Sequence, residues 1–263
     1  NDNCYAERWF KHSSQRLSPV KLFYSPFHTF IHKVLVTIHE AGLWDEVTFV
    51  PTYPFKNREG EDQGDAYSIA ALNPLNKVPT LALDSGQVVY GSQAVVECID
   101  SMSQSGKHLY PPAGPARWDA ITRLALADTM FETTVMLVME GWNPEENQRI
   151  EFFEWIWPKI IRGCDSLEAA CKQGFDGFDI GQASMLHAIS YMDFRVNFYD
   201  AKDPLYPDFD CFDGRPNLKA WWEESIQRPS VTSHYNRDFE GDDSAAFLQK
   251  NVQEVLAAQG VKK

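Results

Sequence analysis

The sequence predicts an α/β domain followed by an all-helical one. Three observations carry this. Residues 20–102 read as strand, helix, strand, helix, strand, strand, helix. Residues 103–115 break that pattern with Gly106, Pro111, Pro112, Gly114 and Pro115. After the break, apolar residues recur only at helical spacing. The boundaries that follow are an extension over 1–19, the α/β domain over 20–103, a linker over 104–116, the helical domain over 117–237, and an acidic tail with a terminal helix over 238–263.

The elements follow in order. Residues 20–24 are a short β-rich run, Val-Lys-Leu-Phe-Tyr. Ile31, Val34, Leu35 and Ile38 then repeat at helical spacing, and Gly42 supplies a stop, since glycine alone takes the left-handed turn freely. Residues 47–50 are a second strand, 51–65 a polar loop and 66–72 a short helix. Strands over 78–83 and 87–90 flank Asp84-Ser85-Gly86, a hairpin turn signal. Val95, Cys98, Ile99 and Met102 make another helical stripe.

Beyond the linker, Pro115 suits the first turn of a helix, where its missing N–H costs nothing. Trp118, Ile121, Leu124, Ala125, Phe131 and Val135 form one long stripe there. A second runs from Ile150 through Phe153, Trp157, Ile160, Ile161, Cys164 and Leu167 to Cys171. A third helix covers 179–195, with Asp179 and Gln182 spaced as a capping box. Short Pro-started helices cover 216–227 and 229–235, and 247–258 reads as a last helix.

Composition narrows the function. With 24 Lys+Arg against 37 Asp+Glu the chain carries a net charge of −13, and no basic stripe offsets it, so no nucleic-acid partner is expected. No apolar run reaches about 18 residues, so no membrane partner is expected either. Residues 1–19 are polar and lack the apolar core of a secretory signal. The five cysteines, Cys4, Cys98, Cys164, Cys171 and Cys211, are widely spaced and odd in number, which points to a reducing, cytoplasmic compartment. The histidines show no metal-ligand spacing, so no metal is expected.

Three segments carry chemistry. In Asn73-Pro74-Leu75-Asn76-Lys77-Val78-Pro79-Thr80-Leu81, Pro79 opens a strand, a position open to an edge or to a cis bond. A cis bond would turn the backbone N–H and C=O of Val78 outward, ready to pair with an extended peptide, with Lys77 beside them for a carboxylate. In Tyr90-Gly91-Ser92-Gln93 a strand gives way to a helix, with Ser92 at or near the N-cap, where free N–H groups and the positive dipole end favour an anion. The turn Ser25-Pro26-Phe27-His28-Thr29 leads from the first strand to the first helix, where a thiolate would be stabilised by helix-end amides and a hydroxyl donor.

In their order and spacing these segments resemble the glutathione transferase superfamily, from Lys21 to about Tyr235. The likeness is to the bacterial-type cytosolic glutathione S-transferases, because Ala188-Ile189-Ser190-Tyr191-Met192-Asp193-Phe194-Arg195 and Arg215-Pro216-Asn217-Leu218-Lys219-Ala220-Trp221 are typical of them. The resemblance implies a thioredoxin-like glutathione-binding domain and an all-α C-terminal domain. It implies that Val78 pairs with the cysteinyl backbone of glutathione, that Pro79 is cis, that Ser92 holds the γ-glutamyl carboxylate, and that Lys77 lies near the glycyl carboxylate. Gly91 stands where the family has Glu or Asp, so one contact to the γ-glutamyl amine is lost or is supplied by Gln93 or a partner subunit. His28 falls where many classes place the activating Ser or Cys, Thr29 is the adjacent hydroxyl, Tyr24 falls on the tyrosine of other classes, and Ser25 follows it. His28 and Thr29 rank level as activating residues, ahead of Ser25 and Tyr24.

The implied activity is conjugation of glutathione, as co-substrate, to a hydrophobic electrophile held between the two domains of a homodimer, a detoxification reaction. A non-catalytic glutathione-binding module, or a glutathione-dependent lyase, isomerase or dehalogenase, are the alternatives. Trp118, Phe131, Met136, Met139 and Trp142 are candidates for the acceptor pocket, although such a stripe is ordinarily core. Asp128 interrupts an apolar stripe, which calls for a hydrogen-bonded partner or a place on a cleft. His187 reads as a core histidine.

Overall fold

In the computed structural model, which describes residues 20–24, 31–52, 69–141, 143–198 and 209–232, the α/β half is a four-stranded sheet in the order β2-β1-β3-β4. β1 (Val20–Tyr24) and β2 (Val47–Pro51) run parallel, from Val20 opposite Val47 to Tyr24 opposite Pro51. A parallel pair needs a crossover, and α1 (Ile31–Glu40) supplies it. α1 ends as Gly42 predicts: at φ 69° its N–H meets the His39 carbonyl at 3.0 Å while Leu43 N–H reaches back to Ile38 at 3.0 Å, a Schellman closure.

β3 (Thr80–Ala82) pairs antiparallel with both β1 and β4 (Val88–Tyr90). The Asp84-Ser85-Gly86 turn joins them, with Gly86 at φ 82° donating to Leu83 and Leu83 donating to Gln87, each at 2.9 Å. β3 is shorter than the strand expected over 78–83, because Pro79 has no N–H to give the ladder. The short helix expected over 66–72 does not form in its described part: residues 69–72 make a turn, with Leu72 and Asn73 N–H both donating to Ile69 at 2.8 Å. α2 (Ser92–Ser101) closes the layer, and Leu22, Leu81, Val34, Ile38, Val95 and Ile99 are buried between helices and sheet.

The second half is helical: α3 (Pro115–Gly141), α4 (Ile150–Gln173), α5 (Ile180–Phe198), α6 (Pro216–Ser225) and α7 (Pro229–Thr232). Pro115 opens α3 and Pro216 opens α6. α3 lies along α5 so closely that a Cβ on Gly181 would sit 2.6 Å from the Ala120 carbonyl oxygen. The buried face of α3 is Ala120, Leu124, Ala127, Asp128 and Phe131; Trp118 and Ala125, expected on it, point outward, since both lie about 100° or more around the helix from Leu124. The capping box at α5 forms by half. Asp179 accepts the Gln182 backbone N–H at 3.0 Å, but the Gln182 amide donates to the Gly177 carbonyl at 2.6 Å instead of closing the box.

The helical half docks on the sheet half through α1, which packs against α5 and α7. α1 is therefore covered on both sides, and Lys33 and Thr37 are as buried as Val34 and Ile38. No described helix is long and apolar enough to cross a membrane. Cys164 is buried and Cys98 and Cys171 are half-buried, and burial pushes the thiols of Cys164 and Cys171 up to about 12. The expected extension over 1–19, the acidic tail and the terminal helix over 247–258 lie outside the described residues.

Candidate functional site

Strand register brings the candidate segments to one end of the sheet. Thr80 faces Tyr90, so the residues before Thr80 run beside those after Tyr90. Lys77, Val78 and Pro79 therefore enter the sheet at the end where Gly91, Ser92 and Gln93 leave it. Thr80 also faces Phe23, so β1 leaves the sheet at Tyr24 at that same end. Ser25, His28 and Thr29, which follow Tyr24 in the sequence, lie outside the described residues.

The Val78–Pro79 bond is cis. A polar brace fixes the backbone around it. The Asn73 amide donates to the Lys77 carbonyl at 2.8 Å and to the Thr80 hydroxyl at 3.1 Å, and that hydroxyl donates to the same Lys77 carbonyl at 2.9 Å. Asn76 takes a left-handed φ of 49°, tolerable for Asn, and its side chain accepts from Ile69 N–H at 2.9 Å. Lys77 is exposed, Val78 is half-buried and Pro79 is buried. Asn73 and Thr80 are buried, and the sequence signals their bracing role only through an Asn placed just ahead of Pro74.

At the other segment the N-cap is Gly91, at φ 86°, and no side chain caps the helix. Ser92 is thus the first helical residue and not the cap, in a first turn whose N-cap residue supplies no side-chain hydrogen bond. The space above Gly91 is open: a Cβ there would touch nothing within 4 Å.

One residue further on, Gln93 is exposed, yet its amide donates to Asp128 of α3 at 3.1 Å. Asp128 is itself buried, and Lys33 of α1 binds both of its oxygens, Oδ1 at 2.5 Å. The partner expected for Asp128 is therefore a lysine from the other domain. Burial pulls the Lys33 ammonium below its ordinary range, and the Asp128 carboxylate opposes that pull. Lys33 escaped sequence reasoning because it lies on the face of α1 that reads as polar, which the second domain covers.

Tyr24 sits half-buried with its ring edge-on to Phe49 at 5.9 Å, and burial pushes its hydroxyl up. Deeper in the joint, His187 is buried against Phe131 at 4.6 Å and lies 6.1 Å from the His32 ring. His32 is half-buried as a residue, and its Nδ1 is shut off from solvent. Burial lowers His32 to about 4; burial, and then the Lys33 and His32 charges, take His187 well below its usual value. Of the acceptor-pocket candidates, Phe131 belongs to the core, Trp118, Met136 and Met139 are exposed, and Trp142 lies outside the described residues. Among the described residues no cluster of His, Cys, Asp and Glu is gathered as a metal site. A groove of about 670 Å³ lined by Phe175, Phe178, Trp221 and Arg228 lies wholly in the helical half and shares nothing with this sheet end.

Residues 27–102 match the glutathione S-transferase N-terminal domain family. The crystal structure of a glutathione transferase family member from Pseudomonas fluorescens Pf-5, with bound glutathione, is similar to this chain with a TM-score of 0.70 and 31% identity, over 82% of this chain and 98% of that one. The uncharacterized GST-like protein YibF of Escherichia coli K12 is 26% identical over 180 residues, 67% of this chain and 83% of YibF. Glutathione S-transferase 3 of Zea mays is 23% identical over 81% of this chain and 92% of its own length.

Proposed function

Because the chain belongs to the glutathione transferase family, we propose that it binds glutathione across the sheet end where Lys77, Val78 and Pro79 meet Gly91, Ser92 and Gln93, and conjugates its thiolate to a hydrophobic electrophile. The supporting observation is the register that brings both segments to one end of the sheet, where β1 also leaves it at Tyr24. Val78 offers its backbone to the cysteinyl residue. Lys77, exposed beside it, answers the glycyl carboxylate. Ser92 and the uncapped first turn of α2 take the γ-glutamyl carboxylate. Thr29, His28 or Ser25 then stabilises the thiolate; Tyr24, its ring engaged with Phe49, is the weakest of the four. In the reaction, sulfur forms a bond to the electrophilic carbon, the leaving group departs with the electrons of its broken bond, and the thiol proton passes to solvent.

The working unit is proposed to be a cytoplasmic homodimer. The test is calorimetric titration with glutathione together with the rate of conjugation of an aryl halide. We expect binding and turnover, with Thr29→Ala or His28→Ala lowering kcat by about 10²-fold at unchanged glutathione affinity. No glutathione binding would sink the proposal. Binding without turnover on a broad electrophile panel would favour a non-catalytic module, a reading that the His28 and Gly91 departures motivate.

A further inference from the structure

We propose that Lys33 and Asp128 are positioning residues that turn the Gln93 carboxamide so that its oxygen faces the ammonium of a bound γ-glutamyl group. The inference rests on the glutathione site proposed above. It starts from a chemical asymmetry. A carboxylate accepts hydrogen bonds and cannot donate them, so the amide end of Gln93 that meets Asp128 Oδ2 at 3.1 Å must be its NH₂ end. The other end, Oε1, is then the acceptor that does not meet Asp128, on an exposed residue one past Ser92. An ammonium needs an acceptor, and the neighbouring Gly91 has no side chain to give one.

Asp128 cannot serve directly. It is 5% exposed and Lys33 engages both of its oxygens, so its charge is spent inside the protein. Lys33 holds that carboxylate in place, which keeps the amide from flipping to present NH₂ to the ligand. The three side chains come from α1, α2 and α3, so the acceptor is correctly aimed only when the two domains are docked.

The test uses the full chain and two ligands: glutathione and glutaryl-cysteinyl-glycine, which lacks only the ammonium. A hydrogen bond to a charged group corresponds to a preference of about tenfold or more for glutathione in the parent protein. Gln93→Ala should abolish that preference. Lys33→Met with Asp128→Leu, which removes both buried charges, should abolish it too while Gln93 is still present, and adding Gln93→Ala to that pair should change nothing further. A merely structural role would weaken both ligands alike, and that outcome overturns the proposal, as does a double variant that keeps the preference. If the double variant does not fold, Asp128→Asn should lower the preference severalfold with the affinity for the glutaryl peptide held; an unchanged preference overturns it again. A parent protein that binds glutathione without preference refutes this inference alone, whereas one that binds no glutathione refutes the site itself.

Discussion

The sheet and its own helices meet differently from the way the two domains meet. Inside the α/β half the contact is apolar: Leu22 and Leu81 from the strands press on Val34, Ile38, Val95 and Ile99. Between the halves, polar contacts are set among apolar ones from Val36, Ala183, Leu186 and Val231. Lys33 holds Asp128, Glu40 accepts from Arg228 at 2.9 Å and Ser230 at 2.7 Å, and His32 and His187 lie in the same joint. The two kinds of interface do different work. Apolar packing is non-directional and tolerates repacking at constant volume. Buried polar contacts hold only in one geometry, and half-satisfied they are costly. The sheet layer therefore supplies stability, while the joint fixes how the domains face each other, which the proposed placing of Gln93 by Lys33 and Asp128 requires.

The largest expected effect tests that distinction directly. Lys33→Met leaves Asp128 charged and buried without its lysine, and should cost about 3–5 kcal/mol in urea denaturation. Adding Asp128→Leu should return most of that loss, because the desolvation penalty leaves with the charge. Leu22→Ala in the sheet layer should cost a comparable 2–5 kcal/mol or so, and no second substitution should restore it. A Lys33→Met/Asp128→Leu variant as unstable as the single one would break the comparison, since the pair would then act as packing.

A smaller effect concerns pH. Burial holds His32 down at about 4, against about 6.5 in the unfolded chain, and His187 is lowered as well. Because the folded pKa is depressed, the unfolded chain binds more protons between these values. Stability is full above pH 6.5 and falls as the pH drops towards 4. Between pH 7.5 and 5, His32 alone accounts for a loss of about 2 kcal/mol. Chemical denaturation at the two pH values measures it, and His32→Leu should remove its share of the slope. Equal stability at both values would show that the joint admits protonated histidine.

What the sequence made legible follows the same division. The sheet layer was readable because apolar residues at fixed periods declare it: Val34 and Ile38, Val95 and Ile99. The candidate segments stood out because Pro79, Gly91 and Ser92 are residue types with strong backbone preferences. Asp128 was visible as an anomaly on an apolar stripe. Lys33 was not, since a lysine on the polar-looking face of a helix announces nothing until a second domain covers that face. Trp118 was misplaced on the core face because a stripe read loosely over many residues hides a drift of about 100°. The meeting of Lys77–Pro79 with Gly91–Gln93 is a matter of strand register, which short strands with few alternating residues leave open.

The smallest expected effect lies at the far end of α1. Burial pushes the Glu40 carboxyl up, but hydrogen bonds from Ser230 and Arg228, with the Arg228 and Lys107 charges, outweigh it and hold the group below its ordinary value. Glu40→Gln keeps the shape and an oxygen for Ser230, and loses the charge facing Arg228, which is partly exposed. The cost should be about 1 kcal/mol at neutral pH. A depressed carboxyl contributes stability that is present above about pH 4.5 and lost as the pH falls through its folded value. The Gln variant and the parent should therefore differ at pH 7 and converge in acid, below the window in which the histidines titrate. Denaturation series from pH 7 down into acid follow that convergence, and a difference that stays constant throughout would mean that Glu40 acts through hydrogen bonds that Gln cannot reproduce and not through its charge.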